Sequence, residues 1–187
     1  MTSIEDLEIR DNAIKSIISR PLDRLLGLKN FNMLMEIVRT FMRQLPLGVA
    51  IVTTWNDGPF GMTVNTFNSL SLNPPLVMFS ADRTRGNHRP FLDSSHFAVN
   101  LVEDIELLDK FAVSPLAERF KGVTYIKGQG GSPILQSAFA YLEAKVRDEL
   151  IQGDHSIIVG EVMDGKVLRD GEPPVYYKRT YWRLRRA

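Results

Sequence analysis

The alternation of apolar and polar side chains in residues 140–147 constrains the fold of this chain most. Ala140, Leu142, Ala144 and Val146 fall on one face of an extended segment, and aromatic or charged residues occupy the positions between them. This pattern is typical of a half-buried antiparallel strand. Further strands are predicted at 49–55, on both sides of 73–75 within 61–80, at 96–102, at 157–162 and at 176–184. Strands outnumber helices without alternating regularly with them, which argues against a βαβ sheet and predicts a small antiparallel barrel.

An amphipathic helix is predicted before the strands. Its apolar residues recur at three- and four-residue steps: Leu34, Ile37, Val38, Phe41, Met42 and Leu45. Asn30 or Asn32 is expected to cap its start, and Pro46 to close it. Looser helical patterns occupy 4–19 and 103–120. We therefore predict a helical extension over 1–34 and a single domain over 35–187.

The composition excludes several classes of function. The net charge of the 187 residues is +1, so no general attraction to nucleic acid or membranes is expected. The chain has no cysteine, which excludes disulfides and thiolate zinc sites. The acidic start of the chain is unlike a signal peptide, and no apolar run approaches the ~20 residues of a membrane helix. We expect a soluble, cytoplasmic protein.

The usual signatures of nucleotide, metal and hydrolase sites are missing from the sequence. Neither G-x-G-x-x-G after a strand nor G-x-x-x-x-G-K-[ST] occurs, and the glycine-rich segment 128–131 is followed by Pro133, which suits a surface loop. Three separate histidines without H-E-x-x-H predict no metal site. Asp154, His155 and Ser156 are neighbours on an extended chain, so they cannot form a catalytic triad among themselves.

Uncharged hydrogen-bonding side chains are concentrated in residues 61–71. Asn, Thr and Ser together with strand amides suit a flat heterocycle that has carbonyl and imide edges. The loop that follows could hold a phosphate through Ser80, Arg83, Thr84, Arg85 and Asn87. The alternative is a barrel strand with one solvated face, and the pattern by itself leaves both interpretations open.

The ordered set of motifs resembles the flavin reductase family, the small reductase components of two-component flavin monooxygenases. The matching segments are 45–54 (LPLGVAIVTT), 61–71 (GMTVNTFNSLS), 73–77 (NPPLV), 97–100 (FAVN) and 153–155 (GDH), with Tyr177, Arg179 and Tyr181 in the tail. The resemblance implies a mainly β, FMN-binding split β-barrel of antiparallel Greek-key type, with flanking helices and, here, an N-terminal helical extension. It also implies a homodimer, hydride transfer from NADH or NADPH to FMN, with FAD as the alternative, and a monooxygenase that receives the reduced flavin.

The same resemblance implies roles for individual residues. The flavin ring and ribityl chain would be contacted by Thr63, Val64, Asn65 and Thr66. The phosphate would be held by Ser80, Arg83, Thr84 and Asn87. Phe97 and Asn100 would lie close by, and His155 would face the nicotinamide or serve as a structural histidine. Residues 83–88 follow the family pattern only loosely, and 1–34 precede it, where we expect a helix that packs on the barrel or across the dimer. An electron carrier of the same fold and a non-redox binding module are the rival functions.

Overall fold

The computed structural model describes residues 22–185, with side chains described from residue 31. Its helices are α1 (Leu22–Met42), α2 (Arg89–Ser94), α3 (Ile105–Val113) and α4 (Leu116–Arg119). Its strands are β1 (Leu47–Gly48), β2 (Ala50–Trp55), β3 (Pro59–Val64), β4 (Asn68–Leu72), β5 (Pro75–Asp82), β6 (His96–Leu101), β7 (Tyr125–Lys127), β8 (Pro133–Leu135), β9 (Ala140–Gln152), β10 (His155–Val167), β11 (Val175–Tyr177) and β12 (Thr180–Trp182).

Seven antiparallel strands form the main sheet, in the order β3-β2-β6-β9-β10-β5-β4. A three-stranded sheet, β1-β11-β12, and the hairpin β7-β8 accompany it. The predicted mainly β, antiparallel fold with flanking helices is confirmed. The longest pairing joins β9 and β10 through a turn at Gly153, whose φ of 60° is the left-handed conformation that glycine adopts readily.

Strand β2 is buried on both faces, and its two sides belong to two different cores. Val52 packs into a cluster between the inner faces of the sheet, which contains Phe79 and Phe97 with ring centroids 5.1 Å apart. Ile51, its neighbour, packs on the opposite side against Phe111 of α3. Both β2 residues are fully buried. This double burial explains the continuous apolar run at 49–52, and it packs α3 against β2.

Two predicted helices differ from those observed. Helix α1 is longer than expected: Asn30 and Asn32 lie inside it rather than at its cap, and it ends at Met42, before Pro46. The predicted helix over 103–120 is broken at Ser114 and Pro115 into α3 and α4. Asp104 caps α3 by accepting hydrogen bonds from two backbone N–H groups of its first turn.

The polar stretch 61–71 is not one strand. Strand β3 ends at Val64 and β4 begins at Asn68, so Asn65, Thr66 and Phe67 connect them. The predicted loop at 128–133 also ends earlier than expected, because Pro133 begins β8.

The chain divides into two compact units, 1–45 and 46–187. Helix α1 crosses residue 34 without a break, and the division into 1–34 and 35–187 stays a prediction. The helix predicted at 4–19 lies outside the described residues. In the described part, no helix is both long enough and apolar enough to span a bilayer.

Candidate active site

A polar groove of about 440 Å³ lies where three segments of the second unit meet. The first segment is the end of β3 with its connection to β4. The second is the end of β5 with the loop that follows it and the first residue of β10 beside it. The third is the junction of α3 and α4. The groove is lined by Met62, Thr63, Val64, Asn65, Thr66, Ser80, Asp82, Arg85, Asn87, Ala112, Ser114, Pro115, Leu116, Arg119 and His155.

The β3 side of the groove is held in place by hydroxyl groups. The Thr63 hydroxyl donates to the Leu108 carbonyl over 2.7 Å, which joins β3 to α3. The Thr66 Oγ1 accepts from the Ser80 N–H over 3.0 Å, which joins the connection to β5. Asn65 lies between them, half-buried, and its amide makes no side-chain hydrogen bond within residues 22–185. The amide of Asn65 is therefore available to a ligand, while the two threonines set its position.

The loop after β5 is organised around the carboxylate of Asp82. Thr84 donates to this carboxylate through its N–H (2.7 Å) and its hydroxyl (2.6 Å), and Arg85 pairs with it over 3.5 Å. The hydrogen bond from the Thr84 hydroxyl holds the pKa of Asp82 below its ordinary value. Arg85 and Asn87 line the groove, whereas Arg83 and Thr84 do not.

Two of the residues predicted to hold the phosphate do not line the groove, and that role stays a prediction for them. The Thr84 hydroxyl is already engaged by Asp82. The Nε of Arg83 is buried and lacks a hydrogen-bond partner among the described residues, although its backbone N–H donates to the Asp154 carbonyl. Arg85, which the residue pattern included but the family resemblance did not, supplies a guanidinium to the groove on the β5 side.

His155 reaches the groove from the first position of β10, directly opposite Asp82 in the strand register. Its Nδ1 lies 2.7 Å from the Asp154 carboxylate, and its side chain is about half exposed, at 46%. This hydrogen bond lowers the pKa of Asp154. Because Asp154 holds Nδ1, the ring orientation is restrained, and Nε2 has no partner within the described chain.

Arg119 is a groove residue that sequence reasoning missed. Its side chain is 9% exposed, and it donates from Nη1 to the Gly61 carbonyl (2.8 Å) and from Nε to the Ser114 carbonyl (3.0 Å). Burial lowers the pKa of this guanidinium. Within residues 22–185 it forms no ion pair, so its charge is balanced only by carbonyl dipoles. No local signal identified it, because its place depends on the break at Pro115.

Phe97 and Asn100 do not line the groove, and their place close to the ligand stays a prediction. Both are fully buried. Phe97 belongs to the core around Val52. Asn100 donates to the Ile51 carbonyl and the Thr53 hydroxyl, and it accepts from the Leu135 N–H over 2.8 Å. Its amide joins three strands and is saturated by protein partners.

Comparison with known proteins relates this chain to flavin reductases. The model of the flavin reductase like domain matches residues 42–185. A flavin reductase of Pseudomonas putida is 33% identical over 146 residues, covering 76% of this chain and 86% of its own. The FMN reductase (NADH) SmoA of Agrobacterium fabrum is 33% identical over 140 residues, covering 74% of this chain and 80% of its own.

Solved structures agree with the sequence comparison. The crystal structure of the flavin reductase HpaC complexed with NADP+ superposes with a TM-score of 0.78 at 54% identity, covering 80% of this chain and 97% of that one. The NADH:FAD oxidoreductase SgcE6 of Streptomyces globisporus superposes with a TM-score of 0.74 at 29% identity, covering 80% and 92%. With the matching domain, the seven-stranded sheet and these relatives, the chain belongs to the flavin reductase-like family.

Proposed function

We propose that this protein is an NAD(P)H-dependent flavin reductase that supplies reduced flavin to a partner monooxygenase. The observation that carries the proposal is one groove that combines uncharged polar side chains at the end of β3 and in its connection to β4 with a basic, polar end beside β5. The names of relatives support it: one is an FMN reductase that uses NADH, and another is the reductase component of a 4-nitrophenol 4-monooxygenase/4-nitrocatechol 2-monooxygenase of Rhodococcus opacus.

The residues of the groove fit a flavin. Its volume of about 440 Å³ lies within the range of roughly 300–1,000 Å³ that is usual for cofactor sites. The Asn65 amide, which has no side-chain partner within residues 22–185, suits a ring edge that presents both carbonyl and N–H groups. Ser80, Arg85 and Asn87 combine hydroxyl, guanidinium and amide donors, which suit a phosphate. FMN is therefore the proposed flavin, and FAD stays the alternative.

Bound flavin would supply the chemistry by accepting hydride at its central ring, so the chain has to position two ligands rather than provide an acid–base triad. Asn65 and the Thr66–Ser80 link would fix the ring and ribityl chain. Arg119 would present positive charge to an electron-rich edge of the ligand. His155, restrained through Nδ1 by Asp154, would face the nicotinamide with Nε2.

A homodimer and a cytoplasmic location belong to the same proposal. Strand β4 is an edge of the main sheet, and it exposes Leu70 and Leu72, the latter 90% accessible. Phe67, beside β4, lines a separate apolar groove of about 370 Å³. Exposed apolar side chains on an edge strand indicate a surface that a second subunit would cover.

The phosphate assignment is tested with a matched pair of arginine variants. Arg85→Gln removes a guanidinium that lines the groove, and Arg83→Gln removes one that does not. We expect Arg85→Gln to weaken FMN binding about tenfold, the usual size of one charge-assisted contact, and to leave the affinity for riboflavin, which lacks the phosphate, unchanged. Arg83→Gln should leave the FMN-to-riboflavin ratio at the wild-type value. The opposite ranking would place the phosphate at Arg83.

The activity is tested by following NADH and NADPH oxidation by the purified protein with and without added FMN or FAD. A rate that rises and saturates with added flavin supports a reductase that treats flavin as a substrate. Flavin retained through purification without NAD(P)H oxidation would favour the electron carrier. A protein without affinity for flavin would favour the non-redox module.

A further inference from the structure

Arg119 differs from the other basic side chains of the groove in having no carboxylate partner within residues 31–185. Arg85 is paired with Asp82 over 3.5 Å. The Nδ1 of His155 lies 2.7 Å from the carboxylate of Asp154. Arg119 lines the same groove and is buried. Because a buried charge without a counter-ion is costly, a ligand that brings negative charge to Arg119 is favoured at this place.

The guanidinium of Arg119 is held in a fixed position by the elements that flank it. Its Nη1 donates to the Gly61 carbonyl of β3 over 2.8 Å, and its Nε donates to the Ser114 carbonyl just after α3 over 3.0 Å. The carboxylate of Glu118, its neighbour in the chain, is engaged by Lys121 over 2.6 Å. Nη2 makes no hydrogen bond to residues 31–185 and is not enclosed by them. It is therefore the nitrogen that can donate to a ligand in the groove.

The bond to Gly61 places Arg119 near the part of the groove that is proposed for the flavin ring. Gly61 precedes Thr63 by two positions on β3, and the proposed function assigns 63–66 to the ring and ribityl chain. The residues proposed for the phosphate come instead from β5 and the loop that follows it: Ser80, Arg85 and Asn87. Under the proposed function, the groove therefore has one guanidinium for the phosphate and another beside the ring.

Hydride transfer changes the charge of the flavin ring. The C4–H bond of the dihydronicotinamide breaks and an N–H bond forms on the central flavin ring, so two electrons and one proton move together. The nicotinamide becomes a cation, and the reduced ring retains one negative charge. The ring of oxidised FMN carries no such charge, so a fixed cation beside it stabilises the reduced form more than the oxidised form. Burial strengthens this effect, because solvent screens the charge less.

We infer that Arg119 stabilises the negative charge that the flavin ring acquires on reduction, and that it thereby makes the groove prefer reduced over oxidised flavin. In this role Nη2 donates to the edge of the ring on which the charge resides. The inference rests on the proposed function, because flavin has to occupy the groove. It gives Arg119 an influence on the redox equilibrium that Arg85, at the phosphate, does not share.

The affinities of the protein for oxidised and for reduced FMN test this role. Reduced FMN is prepared photochemically, and both titrations are performed anaerobically without a nicotinamide, so the result does not depend on NAD(P)H oxidation. The wild type should bind reduced FMN about tenfold more tightly than oxidised FMN, the usual size of one charge-assisted contact. For this two-electron couple, a tenfold preference raises the reduction potential of bound FMN by about 30 mV relative to free FMN.

Three variants locate the effect in the groove. Arg119→Gln removes the charge, so it should abolish the preference by weakening the binding of reduced FMN, with little change for oxidised FMN. Arg119→Lys keeps the charge and should keep most of the preference. Arg85→Gln should weaken the binding of both forms equally, because the phosphate carries the same charge in both.

Equal affinity of the wild type for the two forms would overturn the inference, and this result needs no variant that fails to fold. The wild-type ratio in an Arg119→Gln protein with native circular dichroism would overturn it too, as would a change confined to the KM for the nicotinamide, which would assign Arg119 to the dinucleotide. A wild type that shows the preference but oxidises neither NADH nor NADPH would support the inference and contradict the reductase activity. A protein that binds no flavin would contradict both.

Discussion

Replacing Asn100 by alanine is expected to reduce stability rather than flavin binding. The change leaves the Leu135 N–H without its acceptor and removes both donors to Ile51 and Thr53. An orphaned buried group costs about 1–3 kcal/mol, and the vacated amide volume adds to this, so the total is about 2–4 kcal/mol. At ~2–4 °C per kcal/mol for a chain of this size, the midpoint of thermal unfolding should fall by about 5–15 °C.

Asn65→Ala provides the matched comparison. Asn65 is half-buried and has no side-chain partner within residues 22–185, so its loss should change the free energy of unfolding by no more than ~0.5 kcal/mol. Losing one hydrogen bond of about 1 kcal/mol to the ligand should weaken FMN binding roughly fivefold.

Thermal unfolding followed by circular dichroism and FMN titration followed by flavin fluorescence separate the two effects. We expect Asn100→Ala to lower the unfolding midpoint and, below it, to bind FMN with wild-type affinity. An Asn100→Ala protein with an unchanged midpoint and weakened FMN binding would refute the structural role assigned to this amide. It would support a role for Asn100 in binding the flavin.

Three further variants probe the packing and the shifted pKa values. In Gly160→Ala the new Cβ would lie 2.5 Å from the buried Phe97 ring, so the free energy of unfolding in urea should fall by about 1–3 kcal/mol; an unchanged value would contradict this contact. Burial raises the pKa of Tyr181 to about 12, so its contribution to stability is present below pH 10 and is lost as the pH rises toward 12. In Tyr181→Phe the free energy of unfolding should change less with pH in that window. If it still falls with rising pH as in the wild type, another group causes the loss of stability. Because the Thr84 hydroxyl lowers the pKa of Asp82, the stability from this contact is present above about pH 3.8 and is lost at lower pH. Thr84→Ala should raise the pKa of the Asp82 carboxyl in an NMR titration and move acid unfolding to higher pH; an unshifted titration would contradict the hydrogen bond.

The parts of the fold that the sequence predicted are those controlled by local periodicity. The alternation at 140–147 was assigned to the correct strand, β9, whose apolar face packs in the core; on its other face Glu143 is also fully buried. Thr63, Val64, Asn65, Thr66, Ser80 and Asn87 were predicted at a ligand site and do line one groove. They share short segments at the ends of paired strands, so neighbouring residues arrive at the groove together.

The sequence did not predict side-chain environments that are decided by distant segments of the chain. The saturation of Asn100 depends on β2 and β8, 35 to 49 residues away in the chain. Arg119 reaches the groove by bonding Gly61, 58 residues earlier. The periodicity of residues within a strand or helix does not reveal such long-range hydrogen bonds.

The glycine-rich segment 128–131 shows the same limit. Its composition predicted an ordinary surface loop, but the Gly130 N–H donates to the fully buried carboxylate of Glu143 over 2.8 Å. A Cβ at Gly128 or Gly130 would lie within 3 Å of the side chain of Glu143 or His96. These glycines are therefore required by close approach to β9 and β6, which no sequence pattern revealed.

The measurement that tests the central claim most directly is anaerobic stopped-flow reduction of FMN by NADH, and separately by NADPH, in the presence of the protein. The proposed function predicts a loss of flavin absorbance whose rate saturates with flavin and nicotinamide, and which far exceeds the rate without protein. It also predicts slower reduction at low FMN concentration in Asn65→Ala. A rate equal to the protein-free rate with both nicotinamides, while FMN is demonstrably bound, would contradict a flavin reductase.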